Sequence, residues 1–121
     1  MHGNLQIIVV GGGIAGLTMA LSLHQAGIAV RVYEAVPDPK PLGVGINLLP
    51  TAVRELTELG LSDELAHTGI ATRELAFFNK LGQLICREKR GVAAGYKWPQ
   101  YSIHRGRLQS RCTPCPMSQG S

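Results

Sequence analysis

Three glycines near the start of the chain have the spacing of a phosphate-binding turn. Gly11, Gly13 and Gly16 follow the pattern G-x-G-x-x-G, directly after an apolar run rich in Ile and Val. In such a turn the first glycine permits a tight bend, the second lets a pyrophosphate approach the backbone, and the third lets the next helix pack against the sheet. The N–H groups and the positive dipole end of that helix would then point at the phosphates.

An acidic residue, Glu34, stands at the end of the second apolar run, 18 residues after Gly16. A carboxylate at this point can accept hydrogen bonds from the hydroxyls of an adenosine ribose, and it would repel a 2′-phosphate. The pattern therefore predicts FAD or NAD as the bound nucleotide, and not NADP. Glycine-rich turns also occur purely as turns, but here strand, helix, second strand and acid stand in the required order.

A C-x-x-C pair near the end of the chain is a second candidate site. Cys112 and Cys115 have the spacing of a metal half-site or a redox pair. Zinc would need two more ligands, and neither Cys86 nor the scattered histidines form a partner motif. Pro114 and Pro116 do not suit a thioredoxin-like setting. We therefore expect a chance occurrence and no metal site.

The elements that must position the glycines form a βαβ unit. The patterns predict a strand buried on both faces, a mostly buried helix, a left-handed glycine cap and a second strand, at Leu5–Val10, Ile14–Ala26, Gly27 and Ile28–Tyr33. A doubly wound domain normally has several parallel strands. The predicted fold class is therefore α/β, an incomplete Rossmann-like domain with a parallel sheet.

The rest of the chain is predicted to begin an antiparallel second layer. Four prolines and two glycines between Val36 and Pro50 indicate an ordered loop. Two helices, a hairpin and a short extended segment follow, at Thr51–Leu59, Ser62–Thr68, Thr72–Asn79 with Gln83–Glu88, and Tyr101–His104. A further helix is expected to start at about Arg105.

Composition and charge limit the classes of function that the chain can have. The chain of 121 residues is 45% hydrophobic, has no apolar run long enough to cross a membrane and shows no signal-peptide pattern, so we expect a cytoplasmic protein with no membrane partner. Residues 73–121 hold nine basic and two acidic side chains, which could suggest nucleic-acid binding. Aromatics are only 5%, and there is no basic helix or RNA-binding motif, so a solvated surface is favoured.

Three blocks of sequence occur in the order and at the spacing of a known family. They are GGGIAGLTMALSLHQAGIAVRVYEA, PLGVGINLLPTAVRELTELGL and YSIHRGRLQ. From about Leu5 to Gln109 the chain resembles the N-terminal part of the FAD-dependent aromatic-ring hydroxylases, most of all the phenazine-type enzymes that include 5-methylphenazine-1-carboxylate 1-monooxygenases.

The resemblance implies roles for particular residues. The turn from Gly11 to Gly16, which includes Ile14 and Ala15, would hold the FAD pyrophosphate. Glu34 with Ala35 would hold the adenosine ribose. Gly45 and Asn47 would lie beside the isoalloxazine, and Arg105 would reach the cofactor from the far side.

In the complete family enzymes, FAD is reduced by NAD(P)H and oxygen is transferred to an aromatic ring. The family's later Asp-Gly and Gly-Asp blocks do not occur here, so we expect residues 1–109 to be the N-terminal part of an FAD-binding domain and residues 110–121 to be an unrelated, disordered tail. We expect such a truncated chain to be inactive alone. The alternative is a non-catalytic nucleotide-binding fragment or a small binding module. Half of an NAD dehydrogenase is a weaker alternative, because Gly43–Pro50 and Arg105 would have no role in it.

Overall fold

The structure is a computed structural model that describes residues 5–37 and 43–112. Its elements in chain order are β1 (Gln6–Val10), α1 (Ile14–Gln25), β2 (Ala29–Tyr33), β3 (Gly45–Leu48), α2 (Pro50–Glu58), α3 (Ser62–Thr68), β4 (Ile70–Thr72), β5 (Glu74–Phe78), β6 (Leu84–Lys89), a 3₁₀ helix (Gly91–Ala94), β7 (Gln100–His104) and α4 (Arg105–Cys112). They form two compact units, Met1–Val44 with Arg105–Ser121, and Gly45–His104. None of the helices in the described stretches is long and apolar enough to cross a membrane.

The first unit contains the predicted βαβ arrangement. Strands β1 and β2 pair in parallel, with Gln6 opposite Ala29 and Val10 opposite Tyr33. Helix α1 connects them and packs against both strands. Gly27, two residues after the helix, has the left-handed φ of 74° that the sequence predicted for the cap. The helix and the second strand each differ from their predicted bounds by one residue.

Within residues 5–37 and 43–112, one face of this two-stranded sheet is uncovered, so the expectation of a strand buried on both faces is wrong. Ile8 and Val10 are 59% and 86% exposed, and Arg31 lies opposite Ile8 on the same face. The alternate residues Ile7 and Val9 are only partly exposed. The physical reason is that α1 covers one face, while no other element in the described part of the chain covers the opposite face of β1.

Helix α4 packs against α1 and completes the core of the first unit. Leu17 and Ala20 on α1, and Leu108 and Cys112 on α4, are all at most 2% exposed. The helix begins at Arg105, as predicted, but it continues three residues beyond the expected boundary at residue 109 because Cys112 is part of the core. Residues 113–121 lie outside the described residues, so a separate tail there stays a prediction.

The second unit is built on a three-stranded antiparallel sheet in the order β3-β7-β4. Helices α2 and α3 pack on one face of it, around a core formed by Leu48, Val53, Leu56, Leu65 and Ile103. The expectation of a loop throughout residues 36–50 is wrong at β3. The prolines flank the four residues of this strand and do not interrupt it, so its backbone can pair with β7.

The predicted hairpin is present as β5 and β6, which pair antiparallel from Glu74–Lys89 to Phe78–Leu84. Its first strand is shorter than expected, because Thr72 belongs to β4 in the three-stranded sheet. The combination of a parallel βαβ unit with antiparallel sheets confirms the predicted α/β fold class.

Candidate functional site

The turn between β1 and α1 is closed by backbone contacts that require glycine. Gly11 has a left-handed φ of 105°, and its N–H donates to the Tyr33 carbonyl at 2.7 Å. A Cβ atom on Gly16 would lie 2.0 Å from the Gly11 carbonyl oxygen and 3.3 Å from Val9 Cγ1. Any side chain at position 16 would therefore push α1 away from β1 and open the turn.

Gly13, in contrast, faces open space. A Cβ there would meet nothing within 4 Å, and its φ of −72° suits any residue. The glycine is therefore not required by the packing of the protein itself. The motif nevertheless places a glycine at this position. Close approach of a ligand to the Gly13 backbone would explain it, because a side chain there would block the ligand.

The N-terminus of α1 has donor groups available at this open side. Its first helical hydrogen bond runs from Leu17 N–H to the Gly13 carbonyl at 2.9 Å, so the N–H groups of Ile14, Ala15 and Gly16 precede the helical ladder. Among the described residues no side chain caps this end, and the first turn carries no acid. The end of the helix can thus bind an anion.

Glu34 lies against the turn and is fixed there by backbone donors. Its carboxylate accepts the Gly12 N–H at 2.5 Å and the Val36 N–H at 3.1 Å. These bonds, first that of Val36 and then that of Gly12, hold the pKa of Glu34 below its ordinary value of 4.5. A carboxylate has about four acceptor positions, so capacity for a further donor remains. Ala35 follows it directly and is exposed.

Gln109 supports the turn from the other side, and sequence reasoning did not assign it to the site. Its Nε2 donates to the Gly12 carbonyl at 2.8 Å. The two polar groups of Gly12 are therefore held separately, the N–H by Glu34 and the carbonyl by Gln109. The two residues stand 97 positions apart, so only membership of the YSIHRGRLQ block could have drawn attention to Gln109.

Arg105 belongs to the same unit as the turn and begins α4. Its backbone N–H donates to the Val44 carbonyl at 3.2 Å, and its exposed side chain passes Gly43. A Cβ on Gly43 would lie 3.6 Å from Arg105 Cβ, and the φ of Gly43 is 136°. The glycine therefore lets the chain run close beside the arginine, whose guanidinium stays at the surface.

The remaining two predicted site residues, Gly45 and Asn47, lie on β3 in the second unit. Gly45 is opposite His104 and Asn47 is opposite Ser102 in the antiparallel ladder. Asn47 is exposed, and its Oδ1 accepts a hydrogen bond from Ser102 Oγ at 2.8 Å.

The two cysteines in the described part of the chain, Cys86 and Cys112, lie in different surroundings. Within residues 5–37 and 43–112, no three His, Cys, Asp or Glu side chains lie close enough together to hold an ion. Cys112 is buried in the core, where burial raises the pKa of its thiol. Cys86 is exposed on β6, and Cys115 lies outside the described residues.

A parallel βαβ unit with a glycine turn, an uncapped helix N-terminus and an acid at the end of the second strand defines a dinucleotide-binding protein. Comparison with known proteins agrees with this class. Residues 4–119 match the family described as FAD binding domain, and the chain belongs to that family. The prediction of FAD as the cofactor is thereby confirmed for the family.

Two enzymes of similar sequence and one solved structure show what the chain is similar to. The chain is 52% identical over 104 residues to a phenazine 1,6-dicarboxylic acid hydroxylase of Lysobacter antibioticus, covering 85% of this chain and 26% of the relative. It is 41% identical over 112 residues to a 3-amino-4-hydroxybenzoate 2-monooxygenase of Streptomyces cremeus, covering 90% and 28%. The solved structure of Klebsiella pneumoniae HpxO with FAD and uric acid superposes with a TM-score of 0.76 at 28% identity, covering 93% and 28%. The chain thus spans about a quarter of the length of these relatives.

Proposed function

We propose that this chain is the FAD-binding portion of a flavin-dependent monooxygenase that hydroxylates a small aromatic substrate with NAD(P)H and oxygen. The observation that carries the proposal is the open N-terminus of α1 behind Gly13, with the Glu34 carboxylate fixed beside it. This arrangement offers donors for a pyrophosphate and an acceptor for ribose hydroxyls within one unit. Family membership and the names of the relatives support the rest.

In this proposal the backbone of Gly11–Gly16, with the N–H groups of Ile14 and Ala15, binds the pyrophosphate. Glu34, with Ala35, binds the adenosine ribose through the acceptor positions that Gly12 and Val36 do not use. Gln109 positions the turn, because its bond to the Gly12 carbonyl fixes the peptide plane that carries the Gly13 N–H.

We propose that the guanidinium of Arg105 reaches the cofactor. In the described part of the chain, no ion pair with an acidic side chain neutralises its charge. A guanidinium at the surface can move toward an anionic ligand at little cost. Gly45 and Asn47 are proposed to lie beside the isoalloxazine, as the family resemblance implies.

FAD, when bound, would supply the redox chemistry that activates oxygen for transfer to an aromatic ring. The residues of this chain would bind and orient it. Two relatives are named for action on a phenazine dicarboxylate and an aminohydroxybenzoate, so we propose an aromatic carboxylate as the substrate class. A cytoplasmic location stays a prediction of the sequence.

Nucleotide titration tests the binding part of the proposal. The purified chain is titrated calorimetrically with FAD, with ADP and with 2′-phosphorylated ADP. We expect FAD and ADP to bind and the 2′-phosphate to weaken binding, because it would approach the Glu34 carboxylate. Equal affinity for ADP and its 2′-phosphate would contradict the role given to Glu34, and no binding of FAD or ADP would contradict the function.

A chimeric enzyme tests the catalytic part. The segment of the Lysobacter hydroxylase that aligns with this chain is replaced by residues 5–109, and the product is assayed for bound FAD and for hydroxylation of phenazine 1,6-dicarboxylate. We expect both, and we expect the same chimera with Gly13→Val to lose its FAD. A folded chimera that purifies without FAD would contradict the proposal.

A further inference from the structure

Three side chains form a continuous hydrogen-bonded chain across the second unit's sheet. Asn47 on β3, Ser102 on β7 and Thr72 on β4 lie on the same face, and we call them the hydroxyl ladder. Ser102 Oγ donates to Asn47 Oδ1 at 2.8 Å, and Thr72 Oγ1 lies 2.7 Å from Ser102 Oγ. Each of the three strands supplies one member.

The ladder has a defined direction. A serine hydroxyl has one proton to donate, and Ser102 uses it on Asn47 Oδ1. The Ser102 oxygen must therefore act as the acceptor toward Thr72, so the Thr72 hydroxyl is the donor in that pair. Hydrogen bonds in such a chain polarise one another, so loss of the Thr72 hydroxyl should weaken the bond that Asn47 accepts from Ser102.

The ladder runs from the protected part of the sheet to its open end. Gln100, opposite Thr72 on the same face, is only 5% exposed. Thr72 and Ser102 are partly exposed, and Asn47 is exposed. The opposite face of the sheet, with Leu48 and Ile103, packs in the hydrophobic core, so this core does not require the ladder.

At its exposed end the ladder leaves the Nδ2 group of Asn47 as a hydrogen-bond donor. Because Asn47 Oδ1 is occupied as an acceptor, the carboxamide is held with its two Nδ2 hydrogens directed elsewhere. No partner for Nδ2 is found among the residues that the structure describes. The exposed end of the ladder is therefore a fixed hydrogen-bond donor.

We infer that Thr72 and Ser102 are positioning residues that fix the Asn47 carboxamide as a donor to an acceptor atom on the flavin ring. The inference rests on the proposed function, which puts Asn47 beside the isoalloxazine. The polar edge of that ring carries carbonyl oxygens and unprotonated nitrogens, which accept hydrogen bonds. A donor held there stabilises the more electron-rich, reduced ring, so the ladder would raise the reduction potential of bound FAD.

Two hydroxyl-deleting variants of the full chain test this, each with a matched control in the same unit. Thr72→Val and Ser102→Ala remove members of the ladder. Thr57→Val and Ser62→Ala remove hydroxyls that lie on helices α2 and α3, away from the sheet face. Thr72→Ser, which keeps the hydroxyl, serves as the rescue.

The first readout needs no cofactor. The side-chain amide resonances of Asn47, assigned by their loss in Asn47→Asp, are followed by ¹⁵N–¹H NMR in each variant. We expect both ladder variants to shift them, Thr72→Ser to restore them and both controls to leave them unchanged. Unchanged Asn47 resonances in Thr72→Val would overturn the inference, whatever happens with FAD.

The second readout uses bound FAD, through its visible absorption and its reduction potential. We expect Thr72→Val and Ser102→Ala to shift the absorption band and lower the potential, with a loss of FAD affinity of roughly 2- to 10-fold. If the Asn47 resonances move but the flavin spectrum and potential do not, the flavin role is overturned and the proposed function stands. If the unaltered chain binds no FAD, the proposed function fails as well.

Discussion

The glycine turn of the first unit, residues 11–16, and the hydroxyl ladder of the second unit present donors in opposite ways. The turn offers backbone N–H groups. They are accessible because Gly13 has no side chain to cover them, and they are correctly placed because Gly16 has none to push α1 away from β1. The ladder offers one side-chain amide, that of Asn47, and the hydroxyls of Ser102 and Thr72 fix the orientation of this amide. The backbone donors suit a pyrophosphate of any nucleotide, whereas a single oriented amide suits one acceptor on one ring.

This difference predicts how each region fails. The turn depends on close packing at Gly16 but not at Gly13. A side chain at position 16 should therefore destabilise the fold, whereas one at position 13 should only block the ligand. The ladder is an exposed chain of hydroxyls, so its loss should change the properties of the bound ligand more than the stability of the protein.

The largest expected effect is that of Gly16→Ala, with Gly13→Ala as its matched control. The new Cβ at position 16 would lie 2.0 Å from the Gly11 carbonyl oxygen, whereas at position 13 it would meet nothing within 4 Å. We expect Gly16→Ala to lower the free energy of unfolding by about 3 kcal/mol and Gly13→Ala to leave it nearly unchanged. Urea denaturation measures both, and equal stability of the two variants would contradict the packing described for the turn.

Cys112→Ser is expected to be the next largest, with the exposed Cys86→Ser as control. Replacing a fully buried thiol by a more polar hydroxyl costs about 1–3 kcal/mol, while the exposed position should tolerate the change. A parallel check is thiol labelling in a Cys115→Ser background, where Cys86 should react and Cys112 should stay protected. Rapid labelling of Cys112 would mean that α4 does not pack on α1.

Glu34→Gln is expected to weaken FAD binding by roughly 10-fold, which is the size of one charge-assisted hydrogen bond. The glutamine keeps the shape of the side chain but removes the charge that backbone donors and ribose hydroxyls share. Calorimetry with ADP measures the loss. Glu58→Gln, at an exposed position on α2, is the control and should bind ADP normally.

The same substitution gives a pH signature. The pKa of Glu34 in the folded chain is below its ordinary value of 4.5, so the carboxylate stabilises the fold fully above pH 4.5. That contribution is lost as the pH falls through the lowered pKa. Urea denaturation at several pH values should therefore find the unaltered chain more stable than Glu34→Gln near neutrality, and the gap should close only in acid. A gap that widens as the pH falls would contradict the assignment.

The smallest expected effect is that of Gln109→Ala, because Gln109 acts on the turn through the Gly12 carbonyl and its hydrogen bond to that carbonyl is neutral. We expect FAD affinity to fall by roughly 2- to 10-fold. Gln25→Ala, at an exposed position on α1, is the control and should change nothing. Gln109→Glu should be worse than alanine, since a carboxylate cannot donate to the Gly12 carbonyl.

The turn could be predicted from the sequence because its parts are local. Gly11, Gly13, Gly16 and Glu34 lie within about thirty residues, and their roles follow from backbone geometry. The supports that come from elsewhere in the chain were missed. Gln109 stands 97 residues from Gly12, and its contact depends on α4 packing against α1.

The ladder could not be predicted for the same reason. Ser102 is 55 residues from Asn47 and 30 from Thr72, and their contacts exist only once β7 pairs with both β3 and β4. The strand β3 itself was missed because prolines dominate the segment around it. The buried-strand expectation for β1 assumed covering elements on both faces, and the described residues cover only one.

The most direct test of the central claim is an NMR titration of the ¹⁵N-labelled chain with ADP. The claim predicts that the backbone amides of Gly12, Gly13, Ile14, Ala15 and Gly16 show the largest shifts, and that the amides of β5 and β6 stay in place. Saturable binding of ADP that moves amides elsewhere and leaves those of the glycine turn unchanged would contradict it.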